Sequence, residues 1–149
     1  MIVKKFKINE DGCLAVYVDN KETEISLKAK EQPLKSLIDS FQDLAQYVIE
    51  ICELPNSSDI EVTGVSLSFS HDILGAVIIA KMKLVNSTGV MNLVTPHRIE
   101  DFYAESGDVG RLMPSGMRDH ITNAIIEIER YIHGERAGKQ EELFENSAA

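Results

Sequence analysis

Hydrophobic and polar positions alternate from the first residues. In IVKKFKI, Ile2, Phe6 and Ile8 take one side and Lys5 and Lys7 the other, which predicts a strand. Asn9-Glu10-Asp11-Gly12 follows as a turn, with glycine where a positive φ is needed. The alternation resumes in CLAVYVD, with Leu14, Val16 and Val18 on one face. It resumes again after Asp19-Asn20-Lys21 in TEISLKA, with Ile25, Leu27 and Ala29 aligned. The period then changes from two to 3.6. Pro33 suits a first helical position, and Leu34, Leu37, Ile38, Phe41, Leu44, Ala45, Val48, Ile51 and Cys52 recur at helical spacing until Pro55 ends the pattern.

The second half repeats this order. Ile60 and Val62 are in phase, whereas Val65, Leu67 and Phe69 are offset by one, so the pattern slips at Gly64 and predicts a β-bulge there. After His71-Asp72-Ile73-Leu74-Gly75, the run AVIIAKMKLV is apolar on both faces in its first half and reads as a central strand. Asn86-Ser87-Thr88-Gly89 then turns the chain into VMNLVT. Met117, Ile121, Ala124, Ile125, Ile128, Tyr131 and Ile132 mark a second helix, with Ser115 as its cap and Gly134 as its end. The expectation is an α+β domain over residues 1–134: two successive βββα units, an antiparallel sheet and two amphipathic helices packed on it. A partly closed barrel has the same string of elements. Two long apolar helix stripes exceed what one small sheet covers, which points to a homodimer. Residues 135–149, ERAGKQEELFENSAA, read as a disordered acidic tail or a short docking segment.

The 149 residues suffice for one domain, and no apolar run approaches the roughly 20 residues of a bilayer crossing. The start lacks the apolar centre of a signal peptide, so the expected location is the cytoplasm, with no membrane partner. Cys13 and Cys52 fall in a strand and a helix and read as buried thiols. A net charge of −9, with no basic half, argues against binding the nucleic-acid backbone, which requires clustered Lys and Arg. It leaves room for a protein partner with a basic surface. Asp39, Asp43, Glu50 and Glu53 are spaced i, i+4, i+11 and i+14 on the first helix. They form one acidic stripe, either a solvated face or a surface that imitates a phosphate row.

One stretch obeys no period. Between Pro96 and Pro114 about 18 residues lie outside strong periodicity, where unstructured loops in compact domains rarely exceed roughly 12 to 15. Ile99, Phe102, Tyr103, Val109, Leu112 and Met113 are too apolar for simple disorder. Phe102 and Tyr103 are therefore candidate partner contacts. At its end, Gly107, Gly110, Arg111, Ser115, Gly116 and Arg118 surround the start of the second helix, where free N–H groups and two arginines suit a phosphate. His97 and Arg98 extend this candidate ligand site. No GxxxxGK[ST] or GxGxxG pattern accompanies it, and the alternative is a Ser115 cap with glycine turns. His71, His97, His120 and His133 have no metal-ligand spacing, so neither metal nor cofactor is expected. His97 beside Glu100 and Asp101 could form an acid–base cluster for a small hydrolase, or only a solvated set of ion pairs. No nucleophile elbow surrounds Ser66 or Ser68.

The run from Val62 to Arg98, with VTGV, GAVIIA and NLVTP, resembles the middle of small accessory proteins encoded by bacteriophages and prophages. The resemblance implies a shared fold and a phage origin, hence a bacterial host cytoplasm, and carries over no catalytic residue. Three function classes result. The first is a non-enzymatic accessory protein that binds and modulates a host defence or nucleic-acid-processing protein. The second is a binder or sponge for a phosphate-bearing ligand such as a nucleotide. The third is the small hydrolase built on His97.

Overall fold

Tight turns set the first three strands. In the computed structural model, which describes residues 1–100 and 109–138, β1 (Ile2–Asn9) and β2 (Gly12–Val18) are joined by Glu10 and Asp11 alone. Gly12 has φ +133°, and a Cβ on it would stand 2.0 Å from the carbonyl oxygen of Ala29, so only glycine fits. Asp19 makes the next turn through its side chain: Oδ1 accepts the N–H groups of Lys21 and Thr23, each at 2.9 Å, and returns the chain into β3 (Glu24–Ala29). Further along, β4 (Asp59–Ser70) and β5 (Ile73–Lys83) are long partners joined by His71 and Asp72, at φ 52° and 64°. Two left-handed residues make the tightest hairpin available. The connection is thus shorter than the five residues expected.

The chain is α+β, and among the described residues its sheet is antiparallel with seven strands, six of them in the order β3-β2-β1-β4-β5-β6, where β6 is Val90–Val94. The seventh, β7 (Arg98–Ile99), lies in the stretch read as aperiodic and pairs with β5 beyond the end of β6. Helices α1 (Lys35–Gln42), α2 (Ala45–Ile51) and α3 (Met117–Ile132) pack as follows: α1 against β4 and α3, α2 against β4 and β5, α3 also against β1. The single helix expected from Pro33 to Cys52 is thus corrected to two. At Asp43-Leu44 the ladder tightens, Leu44 N–H bonding to the Phe41 carbonyl and Tyr47 N–H to that of Leu44. The chain order is therefore less regular than two plain βββα units.

The core lies between helices and sheet. Phe6, Ala15, Val65, Ile78 and Ala80 face Leu37, Phe41, Val48, Ile121, Ile128 and Tyr131, all buried. One expected strand phase is corrected, on β1, and the shared face of Leu14, Val16 and Val18 on β2 turns out to be the one away from the helices. On β1, Val3 is buried and Ile2 is half exposed, because the register shifts between Val3 and Lys5 and reverses the side on which the first residues point. On β2, Cys13 and Ala15 face the helices, while Leu14, Val16 and Val18 lie on the other face. That strand is apolar on both sides, so alternation alone could not choose.

The bulge in β4 sits at the expected place, with the register shifting between Val62 and Gly64. Gly64 is required by close approach and not by its backbone conformation, since its φ is not positive. A Cβ there would stand 2.7 Å from the carbonyl oxygen of Phe6 on the neighbouring strand. Gly64→Val is expected to cost about 1–3 kcal/mol by forcing β1 and β4 apart. Denaturant unfolding checks this, and an unchanged midpoint would mean the strands yield freely.

The start of the segment read as a tail is held in place. Arg136 is buried, its guanidinium 4.6 Å from the centroid of the Tyr131 ring, and its Nε–H donates to the Tyr131 carbonyl at 3.0 Å. Ala137 N–H bonds to the Gln32 carbonyl at 3.1 Å. Residues 139–149 lie outside the described residues. Among the described residues, no helix is long and apolar enough to cross a membrane.

Candidate functional site

The end of β6 decides where the candidate ligand residues go. Thr95, buried, donates its N–H to the Ile78 carbonyl at 3.0 Å, and its Oγ1 accepts the Ile78 N–H at 2.9 Å. Pro96 follows with no N–H to continue a ladder. The chain leaves the sheet there and pairs again with β5 at Arg98–Ile99, with Arg98 opposite Ala76. Directly opposed residues share a face, so Arg98 projects toward the helices with the buried Ala76. His97, one residue earlier, projects to the open face. There its Nε2 lies 2.9 Å from Ser68 Oγ, over Gly75, whose missing side chain makes the room.

On the helix side, Arg98 lines a cleft of about 350 Å³ together with Glu50, Ile51, Leu112, Met113, Pro114 and Ser115. Its Nη1 reaches toward Gly110 in the 3-10 turn Val109–Arg111, 3.9 Å from where a Cβ on that glycine would stand. Its Nε is buried and has no hydrogen-bond partner among the described residues. The thiol of Cys52 is close enough to feel the charge: burial pushes its pKa up and Arg98 draws it partly back.

The helix start beside this cleft is left without a side-chain cap. Ser115 lines the cleft and does not cap α3, contrary to the cap expected from the sequence. The N-cap is Gly116 at φ 85°, where a Cβ would stand 2.9 Å from the Tyr47 hydroxyl oxygen. Burial raises the pKa of that phenol, and the charges of Glu50, Asp119 and Asp43 raise it further. Of these three acidic groups, Glu50 also lines the cleft.

Of the residues expected to grip a phosphate, the fold brings Arg98 and Ser115 into one wall, sets Gly116 beside it as the N-cap of α3, and sends Arg111, Arg118 and His97 elsewhere. Arg118 is paired: its Nε lies 2.6 Å from Oε2 of the buried Glu100, whose Oε1 accepts the Leu74 N–H at 2.9 Å. Arg111 is exposed at the end of the 3-10 turn, outside the cleft lining. His97 is occupied with Ser68 on the opposite face. The same Glu100 clasp, tying α3 to the start of β5, takes up one of the two carboxylates that the hydrolase reading assigned to His97; the other, Asp101, lies outside the described residues. Ser68 and His97 are both exposed, and no carboxylate among the described residues is bonded to the His97 ring.

Asp39, Asp43, Glu50 and Glu53 are all exposed, but they do not share one helix. Asp39 is in α1, Asp43 closes it, Glu50 is in α2, and Glu53 follows α2 at φ 54°. The continuous stripe is corrected to acidic residues divided between two helices and their ends. Phe102 and Tyr103 lie outside the described residues. No group of His, Cys, Asp and Glu among the described residues has the arrangement of a metal site. Sequence reading missed Tyr47, whose faint signal was a tyrosine inside the first helical segment, and it set Glu100 beside His97, where the structure pairs it with Arg118 and the Leu74 N–H. No family model, curated protein or solved structure matches the chain.

Proposed function

We propose that the protein works by binding, and that the cleft around Arg98 receives an anionic group, a phosphate or carboxylate, presented by its ligand or partner. The observation that carries this reading is the buried Nε of Arg98 with no acceptor among the described residues, in a wall shared with the Ser115 hydroxyl. A buried donor left unpaired costs about 1–3 kcal/mol, which an incoming oxygen recovers with charge assistance. The adjacent α3 N-terminus lacks a side-chain cap and adds a favourable field for the same sign of charge. Asp43, Glu50 and Asp119 beside it favour a partner whose anionic group is flanked by basic ones. The resemblance of Val62–Arg98 to phage and prophage accessory proteins supports placing this binding in the modulation of a host defence or nucleic-acid-processing protein.

A thermal-shift panel of inorganic phosphate, nucleoside mono-, di- and triphosphates and dicarboxylates tests it. A ligand at 100 times its dissociation constant stabilises by about 2.7 kcal/mol, a shift of several degrees for a domain of this size. The expected result is a shift with at least one oxyanion class, reduced in Ser115→Ala. A panel that leaves the melting temperature unchanged at millimolar anion would remove the cleft from the argument.

A further inference from the structure

The two edges of the sheet differ in chemistry. The edge strand β3 carries Glu24, Lys28 and Lys30 in or beside its six residues, the charged protection that discourages sheet-to-sheet pairing. The other edge, β6, reads Val-Met-Asn-Leu-Val, without charge or proline, and Val90, Met91 and Val94 are 53%, 40% and 66% exposed. No strand among the described residues pairs with its outer side. Val85, in the loop before it, is 97% exposed.

The order of residues in β6 says what fits this edge. Thr95 donates its N–H to Ile78, and Leu93 and Met91 occupy the equivalent positions opposite Ala80 and Met82. By the alternation of an antiparallel ladder, the N–H and C=O groups of Val90, Asn92 and Val94 therefore point outward. The sequence is also symmetric about Asn92 in size and polarity. An antiparallel copy placed by a two-fold axis at Asn92 sets Asn92 against Asn92, Val90 against Val94, and Met91 against Leu93. All three outward-facing residues of each strand then exchange both backbone bonds. The valine pairs fall together on the open face, and the Met91–Leu93 pairs fall together on the helix face.

We infer that β6 pairs with β6 of a second copy of this chain, joining two sheets into one continuous sheet across a two-fold axis at Asn92. A strand that repeats its own pattern when reversed is self-complementary, as an isologous interface requires. The interface uses neither the cleft at Arg98 nor the helices, so it stands or falls independently of the proposed function.

Sedimentation velocity of the full chain over a range of concentrations, with three variants, tests the inference. The wild type is expected at twice the chain mass. Asn92→Pro removes an outward N–H that no intramolecular bond uses, and Val94→Lys places a charge on the edge. Each is expected to sediment at the monomer mass with an unchanged far-UV spectrum. Asn92→Cys places two thiols at the axis with Cα atoms about 5.5 Å apart, within the range of about 4.4–6.8 Å that a disulfide spans. It is expected to give a covalent dimer on mild oxidation, whereas Val90→Cys, displaced from its own copy by four residues along the strand, does not. Three results would overturn the inference: a wild type that stays monomeric at every concentration, a dimer that persists in both Asn92→Pro and Val94→Lys, or an Asn92→Cys chain that fails to cross-link. The first is also what a strand from a different protein on this edge would produce.

Discussion

Phe6→Ala is expected to lower the unfolding free energy by about 3–5 kcal/mol, the largest loss of any single truncation on the β1–β4 pair. Phe6 is fully buried on β1, a strand flanked by β2 and β4. Its ring meets Phe41 of α1 edge-on at 5.8 Å between centroids and Tyr131 of α3 at 5.2 Å. One side chain thus connects the middle of the sheet to two helices far apart in sequence, and alanine leaves both rings facing a void. Collapse into that void is restricted on the Tyr131 side, because the Tyr131 hydroxyl donates to the Glu31 carbonyl and Arg136 covers the ring. Burial accordingly pushes the Tyr131 pKa upward, with the hydrogen-bonded Cys13 thiol adding to it. Ile38→Ala on α1, where the side chain is 46% exposed, is the control and is expected to stay within about 1 kcal/mol. Denaturant unfolding at constant m-value separates the two. A Phe6→Ala loss below about 2 kcal/mol would mean that the helices re-pack and that the aromatic contacts hold little of the fold.

Much of this arrangement was legible in the sequence where one physical signal acted alone. The Gly64 phase slip marked a bulge because a single extra residue, Thr63, shifts every later side chain to the other face. Gly12 and Asp19 marked turns because their chemistry has few other uses there. Legibility failed where two patterns were equally good. β2 carries apolar residues on both faces, so which one met the helices depended on the packing of α1 and α3 rather than on the strand. The break at Asp43-Leu44 leaves the apolar spacing of Leu37, Phe41, Leu44 and Val48 undisturbed, and no periodicity can report it. The site was half legible for a related reason. Arg98 and Ser115 were picked out as polar residues near an aperiodic stretch, but the pairing of β7 with β5 decides that Arg98 turns inward and His97 outward. That pairing rests on only Gly75–Ile99 and Ala76–Arg98. Likewise Arg118 looked available because its partner Glu100 is 18 positions away, across a segment whose course no local pattern gives.

Arg98→Met is expected to move stability and binding in opposite directions. Methionine fills much the same space without a donor, so the cost of burying an unpaired Nε disappears. The unliganded protein is then expected to be as stable as wild type or more so by up to about 1–3 kcal/mol. Affinity for the anion identified by the thermal-shift panel is expected to fall about tenfold to a hundredfold, the equivalent of one charge-assisted hydrogen bond. Arg98→Lys should recover only part of it, because an ammonium keeps the charge but loses the planar fork that presents Nε and an Nη together. Calorimetric titration beside thermal unfolding of each variant provides both readings. A side chain kept only for packing or for its charge near Cys52 predicts the reverse, a less stable Arg98→Met with unchanged anion affinity, and that outcome would return the cleft to the core. The opposed signs distinguish the two because a group held at a cost to folding is retained for what it does to a ligand, and its removal relieves the fold while it disables the site.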